Sequence, residues 1–254
     1  MKLLLSFFLA LLGYSACAKC LTRGMEFWPR SGSAIQQRPV VMVQGYADSQ
    51  PLVLGLGTGS YLAYLQTDTE RVPLRVVEVV AGQFNEAQAV LKTTCLLEAG
   101  KLYELILVGK GNKGNVIPYQ NSLGDTHARY TVAAGLDQTA PTWQRAPKLH
   151  AKTWIEYGCG PEAGVQFTAP VHDNSAYLIR ASVKDLTTGT TSSYYLLPDA
   201  TGTVLVGHGM CSGGFVLENG SAFSVTFAAL DAAGNLTKYT GGAISFTKPA
   251  QSEG

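Results

Sequence analysis

The residue with the most reactive surroundings in this sequence is Cys211, which lies in the motif G-M-C-S-G of residues 209–213. Glycines on both sides of a nucleophile are typical of the sharp turn that exposes it in many hydrolases. A thiolate also needs a nearby base, and His208 and His172 are the candidates. The competing interpretation is a disulfide to Cys159, which would remove the nucleophile. We predict the disulfide and no catalytic residue, with a thiol hydrolase as the alternative.

A second motif, G-K-G-N-K-G at residues 109–114, matches the glycine spacing of a dinucleotide-binding loop. That loop must lead into a helix, because the N-terminus of the helix binds the pyrophosphate. Here Pro118 follows shortly afterwards and prevents a long helix. The motif also lacks the Lys-Ser or Lys-Thr ending of a P-loop. We therefore predict a polar hairpin loop and no cofactor.

Neither the histidines nor the carboxylates indicate metal-binding or acid–base chemistry. The histidines are scattered without the spacing of metal ligands, at His127, His150, His172 and His208. Asp68 and Glu70 lie together in a polar turn, with no apolar neighbours in sequence that would tune their acidity. The sequence thus predicts no metal site and no catalytic carboxylate pair.

The adjacent residues Tyr194 and Tyr195 are the candidates for ligand contact. Successive side chains of an extended strand point to opposite faces, so we expect at least one of the two rings to face outward. With Tyr61 and Tyr64 they could form an aromatic platform for a glycan or a protein. The alternative is the more common location of tyrosine, half-buried on a strand.

The N-terminus has the pattern of a secretory signal peptide over residues 1–18. Its apolar stretch, residues 3–12, is too short to span a bilayer comfortably, and A-C-A at residues 16–18 fits a cleavage site. The mature chain would then begin at Lys19. The alternative is a lipid anchor at Cys17, against which stands Tyr14, where lipoprotein signals usually carry an aliphatic residue. We predict a secreted, periplasmic or cell-envelope protein.

Length and charge exclude several classes of protein. The 254 residues suit two domains of ordinary size. With 19 basic and 18 acidic residues, the chain has no basic field that would attract nucleic acid. Beyond the signal peptide, no apolar segment is long enough to span a membrane.

One phrase occurs twice, as LEAGKLYELIL at residues 97–107 and LENGSAFSVTF at residues 217–227. Each copy predicts a turn that closes at a glycine, followed by a core strand whose first inward residue is aromatic, Tyr103 or Phe223. Two tandem domains of similar construction explain the repetition. The alternative is that any two β-hairpins share such residues by coincidence.

Four cysteines remain after signal cleavage, which in an exported protein predicts two disulfides. Three pairings of four cysteines exist. The repeat favours one bridge inside each domain, Cys20–Cys95 and Cys159–Cys211.

Short strand patterns separated by Gly, Pro, Asn and Asp turns fill both halves, which indicates β-sandwiches. Residues 85–92 are ambiguous between helix and strand. Residues 135–148 contain helix- and strand-breaking prolines and form the predicted linker between domains at 19–134 and 149–250.

Two phrases carry a family resemblance. The D-Q-T-A-P opening at residues 137–141 and L-D-A-A-G-N-L-T at residues 230–237 resemble bacterial immunoglobulin-like domains of exported proteins. The first half is similar to a related type through P-R-S-G at residues 29–32 and the turn at residues 97–103, but it lacks the D-x-A-G-N turn. The resemblance implies two tandem Ig-like β-sandwiches, and such domains serve as spacers, adhesion modules and enzyme appendages.

These observations predict a non-enzymatic binding or structural module that contacts a protein or glycan at the cell surface. Its loops or an exposed strand edge would form the contact surface. A carbohydrate-binding module that uses the tyrosines is the alternative, followed by the thiol hydrolase.

Overall fold

The computed structural model describes residues 24–111, 116–158, 160–217 and 221–250. Apart from one helix and one short 3-10 turn, the regular elements of this part are β-strands, which confirms the all-β prediction. No helix in the described part is long and apolar enough to cross a membrane. The predicted signal peptide lies outside the described residues.

The first half of the chain forms one eight-stranded sheet in the order β1-β3-β6-β5-β4-β7-β8-β2. Its strands are β1 (Gly24–Trp28), β2 (Ala34–Ile35), β3 (Val40–Tyr46), β4 (Tyr61–Gln66), β5 (Arg71–Ala81), β6 (Glu86–Thr93), β7 (Leu102–Gly109) and β8 (Ala128–Val132). All neighbours are antiparallel except β2 and β8.

Strand β5 lets this sheet fold over on itself. Its first residues pair with β4, and from Leu74 onward it pairs with β6 through a bulge between Val76 and Glu78. A bulge bends a strand and increases its twist. The sheet therefore encloses its own apolar core, which includes the fully buried Leu65, Leu91 and Tyr103.

Helix α1 (Gln50–Thr58), the one α-helix of the described residues, closes one end of that core. It follows a 3-10 turn (Ala47–Ser49), begins with Pro51 in its first turn and ends at Gly59. Gly59 has a φ of 72°, a left-handed conformation that glycine adopts without steric cost. The helix buries Val53 and Leu56 against the sheet.

The second half forms three smaller sheets, β10-β11-β15, β9-β12 and β14-β13-β16-β17, with β18 also paired to β16. Its strands are β9 (Thr142–Trp143), β10 (Lys148–Tyr157), β11 (Gly160–Thr168), β12 (Val171–His172), β13 (Tyr177–Asp185), β14 (Thr191–Leu196), β15 (Thr203–His208), β16 (Ala222–Asp231), β17 (Leu236–Lys238) and β18 (Ile244–Thr247). Residues 135–148, expected as a linker, thus contain β9 and the first residue of β10.

The second core lies between these sheets and is rich in aromatic rings. Phe167 is fully buried and meets Phe227 and Phe246 edge to face, with ring centroids 5.4 Å apart in each pair. The repeated phrase behaves as predicted at its aromatic positions, because Tyr103 on β7 and Phe223 on β16 are both buried.

A third apolar cluster joins the two halves, and we call the contact between them the seam. It packs the outer face of β1, β3 and β6 against β13, β14 and β16. Its members are Trp28, Val40, Met42, Val90, Leu178, Tyr195, Leu230 and Ala232. The two halves therefore meet through the faces of their sheets, and this contact builds the candidate site.

Candidate functional site

His208 does not form a catalytic pair with Cys211. His208 at the end of β15 directs Nδ1 to the carbonyl oxygen of Gly209 at 2.9 Å, and its buried Nε2 has no hydrogen-bond partner. His172 lies on β12, in the small sheet with β9. Neither nitrogen of His208 thus contacts the sulfur of Cys211, as a general base must.

The structure gives different support to the two predicted disulfides. Cys95 is exposed and free, which leaves the Cys20–Cys95 pairing without support. Cys20 and Cys159 lie outside the described residues, and Cys211 is not a free thiol.

The tyrosines at 194 and 195 do face opposite ways, but neither faces solvent. Tyr194 is 2% exposed and packs in the second core near Phe215, whereas Tyr195 is 6% exposed and packs in the seam. The expectation of an outward ring was therefore wrong, because the first half covers the face of β14 that carries Tyr195. Their role as ligand contacts stays a prediction, since both border the cleft described next.

The glycine motif at residues 109–114 does not lead into a helix. Strand β7 ends at Gly109, and Val116 returns to pair with Val108. This agrees with the predicted hairpin loop; residues 112–115 lie outside the described residues.

A cleft of about 1050 Å³ opens along the seam. Its apolar floor includes Trp28 and Met42 from the first half and Leu178 from the second. Its polar inner end brings Gln44, Tyr46 and Glu86 of the first half close to Tyr194 and His208 of the second. The volume is similar to that of small-molecule sites in proteins.

One rim of the cleft is the glycine-rich segment of residues 207–214, which we call the glycine-rich rim. A Cβ atom at Gly213 would lie 2.2 Å from Cβ of His208, and one at Gly214 would lie 2.5 Å from the Tyr194 ring. Glycine is thus required for this segment to pack so closely. The rim also pairs with the first half, because Phe84 and Gly213 exchange two backbone hydrogen bonds of 3.1 and 2.9 Å.

Gln88 links the two halves through hydrogen bonds inside the seam. This fully buried side chain accepts a hydrogen bond from the backbone N–H of Tyr195 at 2.9 Å and donates to the Tyr195 carbonyl at 2.8 Å. Because β14 is an edge strand, these backbone groups would otherwise lack partners. Gln88 also donates to Oε1 of Gln44 at 2.9 Å, and Gln44 donates onward to Glu86 at 3.1 Å and to the Tyr46 hydroxyl at 2.6 Å.

The carboxyl group of Glu86 is the most perturbed acid of the cleft. Burial raises its pKa to about 7, although the Tyr194 hydroxyl and Gln44 favour the ionised form. Burial, followed by the negative charges of Glu86 and Glu26, raises the pKa of Tyr46. Tyr194 lies close enough to Glu86 to affect its pKa, yet its buried hydroxyl makes no hydrogen bond of normal geometry.

An ion pair also crosses the seam. Arg180 on β13 binds Glu78 on β5 at 2.6 Å, and the Tyr195 hydroxyl donates to the same carboxylate at 2.7 Å. Burial alone would raise the pKa of Glu78, but these two donors hold it below its usual value. This carboxylate therefore has a cationic partner, whereas Glu86 has none among the described residues.

Three carboxylates also meet at a distance from the cleft. Asp137, Asp173 and Asp231 place one oxygen each within 4.8 Å of one another, and burial raises the pKa of Asp231. Each could offer one ligand to a hard cation such as Ca²⁺, which takes six to eight oxygens. The Asn235 amide already donates to Asp231 at 2.8 Å and to the Asp137 carbonyl at 3.3 Å. The cluster thus ties residue 137 to the β16–β17 turn.

Neither the polar residues of β6 that border the cleft nor the three aspartates were identified from the sequence, although signals for both existed. In E-A-Q-A at residues 86–89, polar and small apolar residues alternate, which is a strand with one polar face. The aspartates lie partly in the two phrases that carry the family resemblance. Their convergence depends on tertiary contacts between distant turns, so spacing along the chain could not reveal it.

No protein-family model matches this chain, and no curated protein matches it. Solved structures that resemble it include pullulanase type I from Bacillus subtilis complexed with maltose, with 11% identity over 87% of this chain and 25% of that chain, at a TM-score of 0.25. The N-terminal part of the bacterial S-layer protein SbsC is 12% identical over 88% of this chain and 43% of that chain, at a TM-score of 0.25. A DUF3823 family protein from Bacteroides ovatus is 12% identical over 89% of this chain and 98% of that chain, at a TM-score of 0.22.

The chain spans a quarter of the length of the pullulanase chain, 25%. Similarity at these TM-scores carries no argument about activity or ligand.

Proposed function

We propose that this protein is an exported, non-enzymatic binding module made of two tandem Ig-like sandwiches, and that the seam cleft is its ligand site. The observation that carries the proposal is the cleft itself, because it joins an apolar floor to buried polar atoms that lack partners. Tyr194 and His208 both border it, and the Tyr194 hydroxyl and His208 Nε2 are among those atoms. Buried polar atoms are normally hydrogen-bonded, so a ligand group would remove an unfavourable term.

The absence of an assembled catalytic pair at Cys211 favours binding over hydrolysis. An exposed aromatic platform would favour a glycan module, but Tyr194 and Tyr195 are buried. Glycans therefore enter only as one class of ligand to be tested in the cleft, and a protein partner at the cell surface remains open to the same test.

A cleft-filling substitution tests the site. Ser122 lies at the mouth of the cleft, in an exposed turn, and we expect Ser122→Trp to weaken binding of any cleft ligand by at least about tenfold through steric exclusion. Binding is measured by calorimetry with ligands found in a fragment screen. The matched control is Thr187→Trp, in an exposed turn that lines no part of the cleft. Equal binding by both variants would place the ligand elsewhere.

Export is tested by the mass of the mature protein. We expect the chain recovered from outside an expressing cell to begin at Lys19, because A-C-A at residues 16–18 fits the cleavage pattern. Intact-mass spectrometry reads this directly. A mass that retains residues 1–18 argues against export, and a lipid-modified Cys17 at the N-terminus establishes the anchored alternative.

A further inference from the structure

The inner end of the cleft holds two groups that can accept hydrogen bonds from a ligand, the Glu86 carboxylate and Nε2 of His208. Glu86 is 5% exposed, Gln44 donates to its Oε2 and the Tyr194 hydroxyl also favours its ionised form, but no cation among the described residues pairs with it. Nδ1 of His208 faces a carbonyl, which only accepts, so Nδ1 carries the proton of the neutral ring and Nε2 is an acceptor without a donor. A ligand with hydrogen-bond donors therefore complements both groups.

The charges that border the cleft are mainly negative. Glu26 and Glu86 both act on Tyr46, so the two carboxylates converge on one side of the cleft. Among the described residues, the cleft also has one guanidinium, that of Arg30, which is exposed and borders a second groove as well. A buried carboxylate without a cation is costly, and a ligand cation would offset that cost.

The apolar floor of the cleft restricts the rest of the ligand to an apolar body. Trp28, Met42 and Leu178 are each at most 5% exposed, belong to one apolar cluster and line the same cleft as the two acceptors. Such a floor fits a short aromatic or aliphatic body and offers nothing to a second charged group.

We propose that the cleft binds a small organic ammonium compound, with its cationic nitrogen at Glu86 and its apolar body on Trp28, Met42 and Leu178. This inference rests on the proposed function of the cleft as a ligand site. His208 Nε2 and the Tyr194 hydroxyl are shielded from solvent, so they reach the ammonium through a small shift of the glycine-rich rim or of the Tyr194 ring. The ammonium group has N–H donors for these acceptors.

Three probes of one shape separate charge from shape: benzylammonium, benzyl alcohol and benzoate. We expect benzylammonium to bind at least about tenfold more tightly than benzyl alcohol, a difference of about 1.4 kcal/mol, and benzoate to bind more weakly still. Chemical shifts of the Met42 and Leu178 methyl groups, measured by NMR during titration of the full chain, locate the probe and give its affinity. Equal binding of the cation and the alcohol would overturn the inference.

Substitution of Glu86 tests the assigned contact. Glu86→Gln should remove the preference for the cation, whereas Glu98→Gln, which changes an exposed carboxylate outside the cleft, should preserve it. The pKa of Glu86 is raised in the folded state, so the folded protein favours the protonated side chain. The contribution of Glu86 to folding stability is therefore present at low pH and is lost as the pH rises through about 7. The glutamine variant should therefore be at least as stable as the parent at pH 8, so lost binding there is not unfolding.

The pH dependence gives an independent reading. Benzylammonium keeps its charge near neutral pH, so its affinity should fall as the pH drops below about 7 and Glu86 becomes protonated. The other titratable or charged groups around Glu86 and the cleft are Glu26, Arg30, Tyr46, Tyr194 and His208. The fall should disappear in Glu86→Gln if Glu86 is the group responsible; its persistence contradicts the assignment.

The outcomes distinguish this inference from the proposed function. If benzyl alcohol, benzoate or a neutral disaccharide moves the Met42 and Leu178 methyl signals and benzylammonium does not, the cleft is a ligand site of another class. If none of these probes and no member of a wider fragment mixture moves them, the proposed function itself is wrong.

Discussion

Replacing Cys159 and Cys211 together with serine is expected to lower the free energy of unfolding by about 4 kcal/mol, because the disulfide that we infer between them closes a long loop of the unfolded chain. The pairing is supported by Cys211, which is not a free thiol, and by the approach of the start of β11 to the residue before Cys211. A Cβ atom at Gly160 would lie 3.9 Å from the carbonyl oxygen of Met210, in agreement with this approach.

The measurement is urea-induced unfolding of the double variant and its parent under oxidising conditions. The control is Cys95→Ser, which removes an exposed free thiol and should change stability by less than about 0.5 kcal/mol. Thiol labelling of the native parent should leave Cys211 unmodified. Rapid labelling of Cys211, together with an unchanged unfolding midpoint, would remove the disulfide and restore the thiol hydrolase as the leading alternative.

Gln88→Leu is expected to destabilise the protein by about 3 kcal/mol, because it leaves the backbone N–H and carbonyl of Tyr195 buried without partners. Leucine fits the volume of glutamine, so the loss is one of hydrogen bonds rather than of packing. Gln44 also loses a donor to its Oε1, which loosens the chain of contacts to Glu86. Urea unfolding gives the change in free energy.

The matched control for this prediction is Gln66→Leu on β4, where the glutamine accepts one exposed hydrogen bond from Arg71. That change should stay within about 0.5 kcal/mol. Methyl signals of Met42 and Leu178 should broaden or shift in Gln88→Leu and not in Gln66→Leu, because Gln88 lies in the seam and Gln66 does not. Equal stability of the two variants would show that the apolar cluster alone docks the halves.

The inferred disulfide and Gln88 both act on the elements that build the cleft. The disulfide would hold the start of β11 next to the glycine-rich rim, and Gln88 holds the edge of β14 against β6. If both elements position the rim, each variant should also weaken cleft binding without a direct contact to ligand. Positioning residues commonly act in this way, through the geometry of groups that touch the ligand.

Residues 85–92 show where local sequence information ends. Glutamate, alanine and glutamine are good helix formers, yet the segment is strand β6 in the middle of a sheet. Strands β3 and β5 pair with it on both sides, and that pairing overrides the local preference. Its polar side chains then face the buried seam, whereas polar side chains of a strand usually face solvent.

Tyr195, on the other side of the seam, is a second residue whose burial the local sequence could not predict. Alternation along β14 correctly separated the faces of Tyr194 and Tyr195, because side chains of a strand alternate. It could not show that the first half covers the second face. Likewise, the repeat located inward aromatic residues on β7 and β16, while the pairing of Cys95 followed from analogy alone and lacks support in the structure.

The sequence by itself determined the all-β class and the inward aromatic positions of two core strands, because these depend on a period of two and on turn residues that act locally. Only the tertiary structure decided that Glu86, Gln88, Tyr195 and His208 meet at one seam. Such contacts join residues about a hundred positions apart, and burial by a neighbouring sheet leaves no periodic trace in either strand.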